Sequence, residues 1–136
     1  MTVDLQIVDI EADLVGYLQG NADLTAAGCD HVSADIDGPY PMLRVTRTGG
    51  PFDGYRADNP SVTLEAWGEP DADDDAACIA IMRTALALLK ALPKATLAGC
   101  AVSRVAYLTT NQRLPDTSSH QQRRVSSVVI TAHTKP

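Results

Sequence analysis

Between residues 4 and 18 the apolar side chains Leu5, Ile7, Val8, Ile10, Leu14, Val15 and Leu18 recur mostly at helical spacing, with Asp4, Asp9, Glu11 and Asp13 between them. That pattern predicts an amphipathic first helix, with Gly20-Asn21 as its stop. Val32, Ala34 and Ile36 then alternate with polar residues, which predicts a short strand before the turn Asp37-Gly38-Pro39-Tyr40-Pro41. Leu43 and Val45 alternate with Arg44 and Thr46. After Gly49-Gly50-Pro51 and a loop, Val62, Leu64 and Ala66 alternate with Thr63, Glu65 and Trp67, so these two segments read as half-buried strands of a hairpin.

The acids Asp71, Asp73, Asp74 and Asp75 precede a run over 77–92 rich in Ala, Leu, Ile and Met. They sit where carboxylates cap free N–H groups and meet the positive end of a helix dipole, while Lys90 and Lys94 lie toward the other end. The run is apolar almost all round and ends at Pro93. One sheet cannot cover all of it, so the surplus, including Ile79, Leu86 and Ala87, falls either under the first helix or at a contact between subunits. Alternation returns at 100–108 and 124–133, the last two strands, joined by a polar loop over 109–122 that contains Leu114-Pro115-Asp116. The expected fold class is α+β: an antiparallel or mixed sheet of four to five strands, with the N-terminal helix and the long central helix on one face.

A chain of 136 residues, 45% hydrophobic and 21% charged, is the size and composition of one globular domain, expected here over 1–136. The longest apolar stretch is broken by Arg83, Thr84 and Lys90, so no membrane helix is expected, and the acidic first residues do not read as a signal peptide. Three cysteines, an odd number, suit reduced thiols in a cytosol. The net charge of −6 argues against a DNA reader, because Lys and Arg supply most of the affinity for phosphate. That charge is unevenly laid out. Residues 1–75 hold 16 acidic and 3 basic side chains, and residues 76–136 hold 1 acidic and 8 basic. With no linker between the halves, they read as two faces of one domain, an arrangement suited to head-to-tail contact between copies or simply to solvation.

Motifs of chemistry are sparse. Asp71, Asp73 and Asp75 have the first three spacings of a calcium loop, but Ala76 and Met82 stand where it needs Gly and Glu, which leaves helix capping. Cys29, His31, Cys78 and Cys100 lack the close pairs of a zinc site and read as apolar fillers. His31, His120, His133 and the serines form no nucleophile motif, and Gly49-Gly50-Pro51 lacks the Lys and helix of a phosphate loop. No catalytic residue, metal ligand or cofactor is expected. Trp67 reads as a core or interface anchor. Arg44, Arg47, Arg104, Arg113, Arg123 and Arg124 flank or face strands, where a guanidinium fork can pair with a carboxylate of a neighbouring copy or remain solvated.

In order and spacing, several of these segments together resemble one family. They are the acidic first helix, Leu43-Arg44-Val45-Thr46-Arg47-Thr48-Gly49-Gly50-Pro51, Val62-Thr63-Leu64-Glu65-Ala66-Trp67-Gly68, the helix ending Leu89-Lys90-Ala91-Leu92-Pro93, Leu114-Pro115-Asp116, and Arg123 leading into the last strand. The family is the tail terminators, or tail-completion proteins, of long-tailed phages that infect actinobacteria. Residues 21–41 match it least. The resemblance implies a virion protein assembled in the host cytoplasm, a hexamer of itself that caps the tail tube and meets the tube protein and a neck or head-closure protein, with DNA only as passing cargo and no membrane. Under that reading the interface candidates are Arg44, Arg47, Phe52, Tyr55, Trp67, Ile79, Leu86, Arg104, Arg113, Asp116 and Arg123, with the loops at 49–59 and 109–122 reaching the partners. Another neck component, the head-closure or adaptor protein, is the first alternative. A small cytosolic α+β enzyme or ligand-binding domain is the second.

Overall fold

The computed structural model describes residues 7–51 and 57–134. Among the described residues three helices and six strands follow one another as α1 (Ile10–Leu18), α2 (Ala22–Ala26), β1 (His31–Ser33), β2 (Met42–Arg47), β3 (Ala57–Asp58), β4 (Ser61–Trp67), α3 (Asp75–Lys90), a 3-10 turn (Leu92–Lys94), β5 (Cys100–Arg113) and β6 (Arg123–Thr134). The class is α+β, as expected, with one strand more than the pattern promised.

The sheet is mixed. β1 lies parallel to β2, and β2, β4, β6 and β5 follow as antiparallel neighbours. β3 pairs with His133 and Ala132 on the same edge of β6 that β4 occupies farther along, so β3 and β4 act as one strand interrupted at Asn59-Pro60. Proline has no N–H to give the ladder. Its carbonyl still accepts from the Ile130 N–H at 3.0 Å, which keeps the interrupted strand in register.

One face of the sheet is covered. Leu43, Val45, Val62, Leu64, Ala66, Val128, Ile130 and Ala132 join Ile10, Leu14 and Leu18 of α1 and Cys78, Ile81, Met82, Ala85 and Leu89 of α3 in a single buried cluster. Each large aliphatic side chain so buried contributes about 1.5–3 kcal/mol. The two long helices are also tied directly, by the Tyr17 hydroxyl donating to the Leu88 carbonyl at 3.0 Å.

Several boundaries move from the sequence reading. The first helix starts at Ile10, not at residue 4, because the Asp9 carboxylate turns back to accept from the Ala12 N–H at 3.2 Å. Gly20-Asn21 is not only a stop: the Asn21 side chain accepts from the N–H groups of Asp23 and Leu24 and starts α2. β1 is shorter than 32–36 because the Ser33 hydroxyl accepts from the Asp35 N–H at 3.0 Å and turns the chain, leaving Ile36 exposed. The expected carboxylate cap of α3 does not form: Asp74 stands at the N-cap without a side-chain bond to the helix, and its carboxylate accepts instead from the Glu69 N–H at 2.8 Å, while Asp75 is already the first helical residue. The helix ends at Lys90, two residues before the expected 92, and Pro93 lies inside the following 3-10 turn.

The largest revision concerns 109–122. Residues 109–113 are strand, and only 114–122 is loop. Register shifts at Val102/Arg104, Tyr107/Thr109 and Thr109/Gln112, with Asn111 in the left-handed region at φ 57°, break the alternation that would have revealed the strand.

Candidate assembly surface

The face of the sheet away from the helices has no helix or strand over it among the described residues, although its end at Met42 and Trp67 is buried. By the register of the ladder, β2 presents Arg44 and Thr46 there, β4 presents Thr63, Glu65 and Trp67, and β6 presents Arg123, Val125, Ser127 and Val129. Three sequence candidates, Arg44, Trp67 and Arg123, meet on it around a fourth residue the sequence reading passed over. Glu65 Oε2 accepts from the Trp67 indole N–H at 3.0 Å and from Arg44 at 3.5 Å, and Oε1 lies 4.0 Å from Arg123. The Arg123 guanidinium stacks over the Trp67 ring, 5.1 Å from its centroid, and Nε donates to the Leu114 carbonyl at 2.8 Å. Trp67 is thereby 4% exposed and anchored within its own chain. The signal for Glu65 was available: Trp67 and Glu65 are two apart on a strand and therefore share a face.

Arg47 is also committed internally. Its Nη1 and Nη2 donate to both oxygens of Asp58 at 2.6 and 2.7 Å, Nε donates to the Gly49 carbonyl at 3.1 Å, and its backbone N–H donates to Glu11 Oε2 at 2.7 Å. Arg124 forms a second fork, with Asp75 at 2.7 and 2.8 Å, and Nη1 reaches the Asn111 carbonyl at 2.9 Å. The hydrogen bonds of Arg124 hold the Asp75 carboxyl below the usual range. This fork ties the start of α3 to β6 and β5.

Asp116 serves its own loop. It accepts from the Ser119 hydroxyl and N–H at 2.7 and 2.8 Å, bonds that lower its pKa, while its N–H donates to the Gln121 carbonyl at 3.0 Å. Gln121, buried at 5% exposure, donates to the Gly68 carbonyl at 2.8 Å and latches the loop to the end of β4. The loop is therefore an ordered tip. Arg113, exposed, reaches Gln122 at 3.4 Å.

Of the α3 surplus, Ile79 is half-buried, Leu86 packs on the core beside β5, and Ala87 is exposed. α2 shares in flanking the helix, leaving an open groove bordered by Asp23, Ala26, Arg83 and Thr84. A second open groove of about 410 Å³ runs between α3 and β5, bordered by Arg83, Leu86, Lys90, Tyr107 and Asn111. The Tyr107 hydroxyl crosses it to the Leu86 carbonyl at 2.8 Å. Arg104 stands exposed on β5 and enters none of the ion pairs among the described residues. Phe52 and Tyr55 lie outside the described residues, with the rest of 52–56, and residues 57 and 58 of the expected 49–59 loop are strand β3.

Among the described residues no three His, Cys, Asp or Glu side chains converge to hold a metal ion. Cys29, Cys78 and Cys100 are buried and not joined in disulfides. Burial, helped by Asp74 and Asp75, pushes the Cys78 thiol up to about 12, and burial also raises Cys29. Titration with an aromatic disulfide at pH 8 is expected to modify essentially no thiol in the native protein and all three after unfolding in guanidinium. Fast native labelling at Cys78 would contradict its placement.

The sequence matches no known protein family and no curated protein. The backbone does match. A chain from the virion of a native gene transfer agent (GTA) particle superposes on it with a TM-score of 0.60, over 91% of this chain and 94% of that one, at 12% sequence identity. The likeness is one of fold. It extends over nearly the whole of both chains.

Proposed function

We propose that this chain is a structural protein of a phage-like virion. It assembles with copies of itself into a ring, six being the number the sequence resemblance implies, which caps the tail tube and joins the tail to the neck. The observation that carries this reading is the end-to-end backbone likeness to a chain of a GTA virion, found independently of the sequence segments that resemble tail terminators. The protein acts by fitting against its neighbours, and no bond is made or broken. Its net charge of −6 suits a conduit, since a ring poor in cations gives DNA phosphates little to adhere to. The partners are further copies, the tube protein on one side and a neck or head-closure protein on the other, reached through the 49–59 loop and the 114–122 tip.

The test is genetic and biochemical. Purified virions of a phage encoding the chain are expected to contain it, and disrupting its gene is expected to leave heads and tails unjoined in negative-stain images. Deleting residues 52–55 should impair joining while leaving the melting temperature within a few degrees of the parent. Absence of the chain from virions, or normal infectious titres after disruption, would overturn the reading. Labelled chain found on heads and not on the ends of free tails would move it to the head-closure or adaptor position.

A further inference from the structure

The two edges of the sheet are built in opposite ways. At the β1 edge the Gln19 side chain stands in for a further strand, its amide oxygen accepting from the Val32 N–H at 2.7 Å and its amide N–H donating to the Asp30 carbonyl at 2.8 Å. Beyond the end of β1, Glu11 accepts from the Arg47 N–H in the same manner. That edge is closed by the chain itself. β5, at the other edge, is 14 residues long and pairs only with β6; among the described residues no side chain closes its outer edge from Ala101 onward. A long open edge is a template for association unless something covers it.

The side chains differ as sharply. Along β5 and just past it stand the exposed apolar residues Tyr107, Leu108 and Leu114, at 39, 62 and 39% exposure, with Arg104 and Arg113 beside them and Arg83 and Lys90 across the α3 groove. On the β1 side the exposed apolar residue Ile36, 44% accessible, sits between Asp35 and Asp37, with Asp30 exposed nearby in sequence; Asp37 is already paired with His31 at 2.7 Å, whereas Asp30 and Asp35 enter no ion pair among the described residues. The β5 side thus offers an apolar centre flanked mainly by cations, and the β1 side one flanked mainly by carboxylates, with Arg44 donating to the Ala34 carbonyl at 3.0 Å beside it.

We propose that the outer edge of β5 receives the acidic β1 side of a second copy, so that copies associate head to tail. The carboxylates of one copy accept from the arginines and open N–H groups of the other, and Ile36 packs near Leu108. Because the β1 edge is already closed by Gln19, the contact is made by side chains and the sheet does not run on from copy to copy. The contact is heterologous and closes into a ring when the rotation fits. This inference rests on the ring reading above and specifies the surfaces that form it.

Charge reversal on each side tests it. One variant carries Arg104→Glu with Arg113→Glu, the other Asp30→Lys with Asp35→Lys, and circular dichroism melts confirm that each folds. Association of the wild-type chain is followed by sedimentation over a concentration series. Each variant alone should associate at least tenfold more weakly, and an equal mixture of the two should recover, because the reversed edge of one then faces the reversed side of the other. Wild-type association that survives both reversals, or a mixture that fails to recover, overturns the assigned surfaces while leaving the ring itself standing. A wild-type chain that stays single at every concentration overturns the self-pairing, and the presence of the chain in virions then decides the functional reading separately.

Discussion

Replacing Arg47 with alanine is expected to destabilise the fold by about 3–5 kcal/mol, the range for removing one partner of a buried ion pair. Asp58 has no exposed surface, whereas the Arg47 side chain keeps 23% of its own, so the loss leaves the carboxylate as the stranded charge. In the intact chain burial pushes the Asp58 pKa up, but the Arg47 guanidinium and the N–H groups of Val8 and Asn59 more than reverse this, and the net shift is downward. A carboxyl with a depressed folded pKa contributes stability that is present above its unfolded value and lost as pH falls through the folded one. In Arg47→Ala burial prevails, so Asp58 takes up a proton more readily and the stranded charge disappears on acidification. Guanidinium denaturation should therefore show the gap between variant and parent narrowing from neutral pH toward the ordinary carboxylate range. A gap below about 1 kcal/mol at neutral pH, the size of an exposed pair, would show the clamp to be peripheral.

The glycine pair after β2 separates conformation from space. Gly50 has φ 103°, and a Cβ there would overlap the Asn59 carbonyl oxygen and sit 2.5 Å from the Ser61 nitrogen. These are backbone atoms, held where the Thr48 N–H donates to the Ser61 carbonyl at 2.7 Å and the Ser61 N–H to the Gly49 carbonyl at 2.9 Å. Gly50→Ala is expected to cost about 3–5 kcal/mol, from left-handed strain plus forced displacement, and to lower the melting temperature by roughly 10 °C. Gly49 shares the positive φ, at 112°, but has nothing within 4 Å, so Gly49→Ala should cost only the strain, about 1–2 kcal/mol. Equal melting temperatures for the two variants would refute the close approach at Gly50.

The regular alternation of 43–46 and 62–67 and the apolar run of α3 were legible in the sequence because each obeys a single period over its whole length. β5 was half legible. Its three register shifts reset the face count, and Thr109, Thr110, Asn111 and Gln112 then look like loop. α2 was hidden because five residues give no period to detect, and its only signal is Asn21 three places before Leu24. The arginines show a different limit. Composition and spacing single out Arg44, Arg47, Arg113 and Arg123, but whether a guanidinium faces another copy depends on what its own chain already supplies. For Arg47 that is Asp58, placed 11 residues later; for Arg123 it is Trp67 and the Leu114 carbonyl. Arg104, on the open strand, has no such internal commitment among the described residues, which sequence spacing alone gave no means of distinguishing.

The place of β6 has a consequence for how the molecule is made. It lies between β4 and β5 and also holds β3, yet it is the last of these to leave the ribosome. Until residues 123–134 emerge, Val62, Leu64 and Ala66 have a partner strand on one side only, and α3 has a partial floor to rest on. The nascent chain must therefore wait, with its aliphatic interior unsealed, for a closing step that includes the distant pairings of β6 with β3 and β4, a slow kind of assembly that leaves it exposed to aggregation meanwhile.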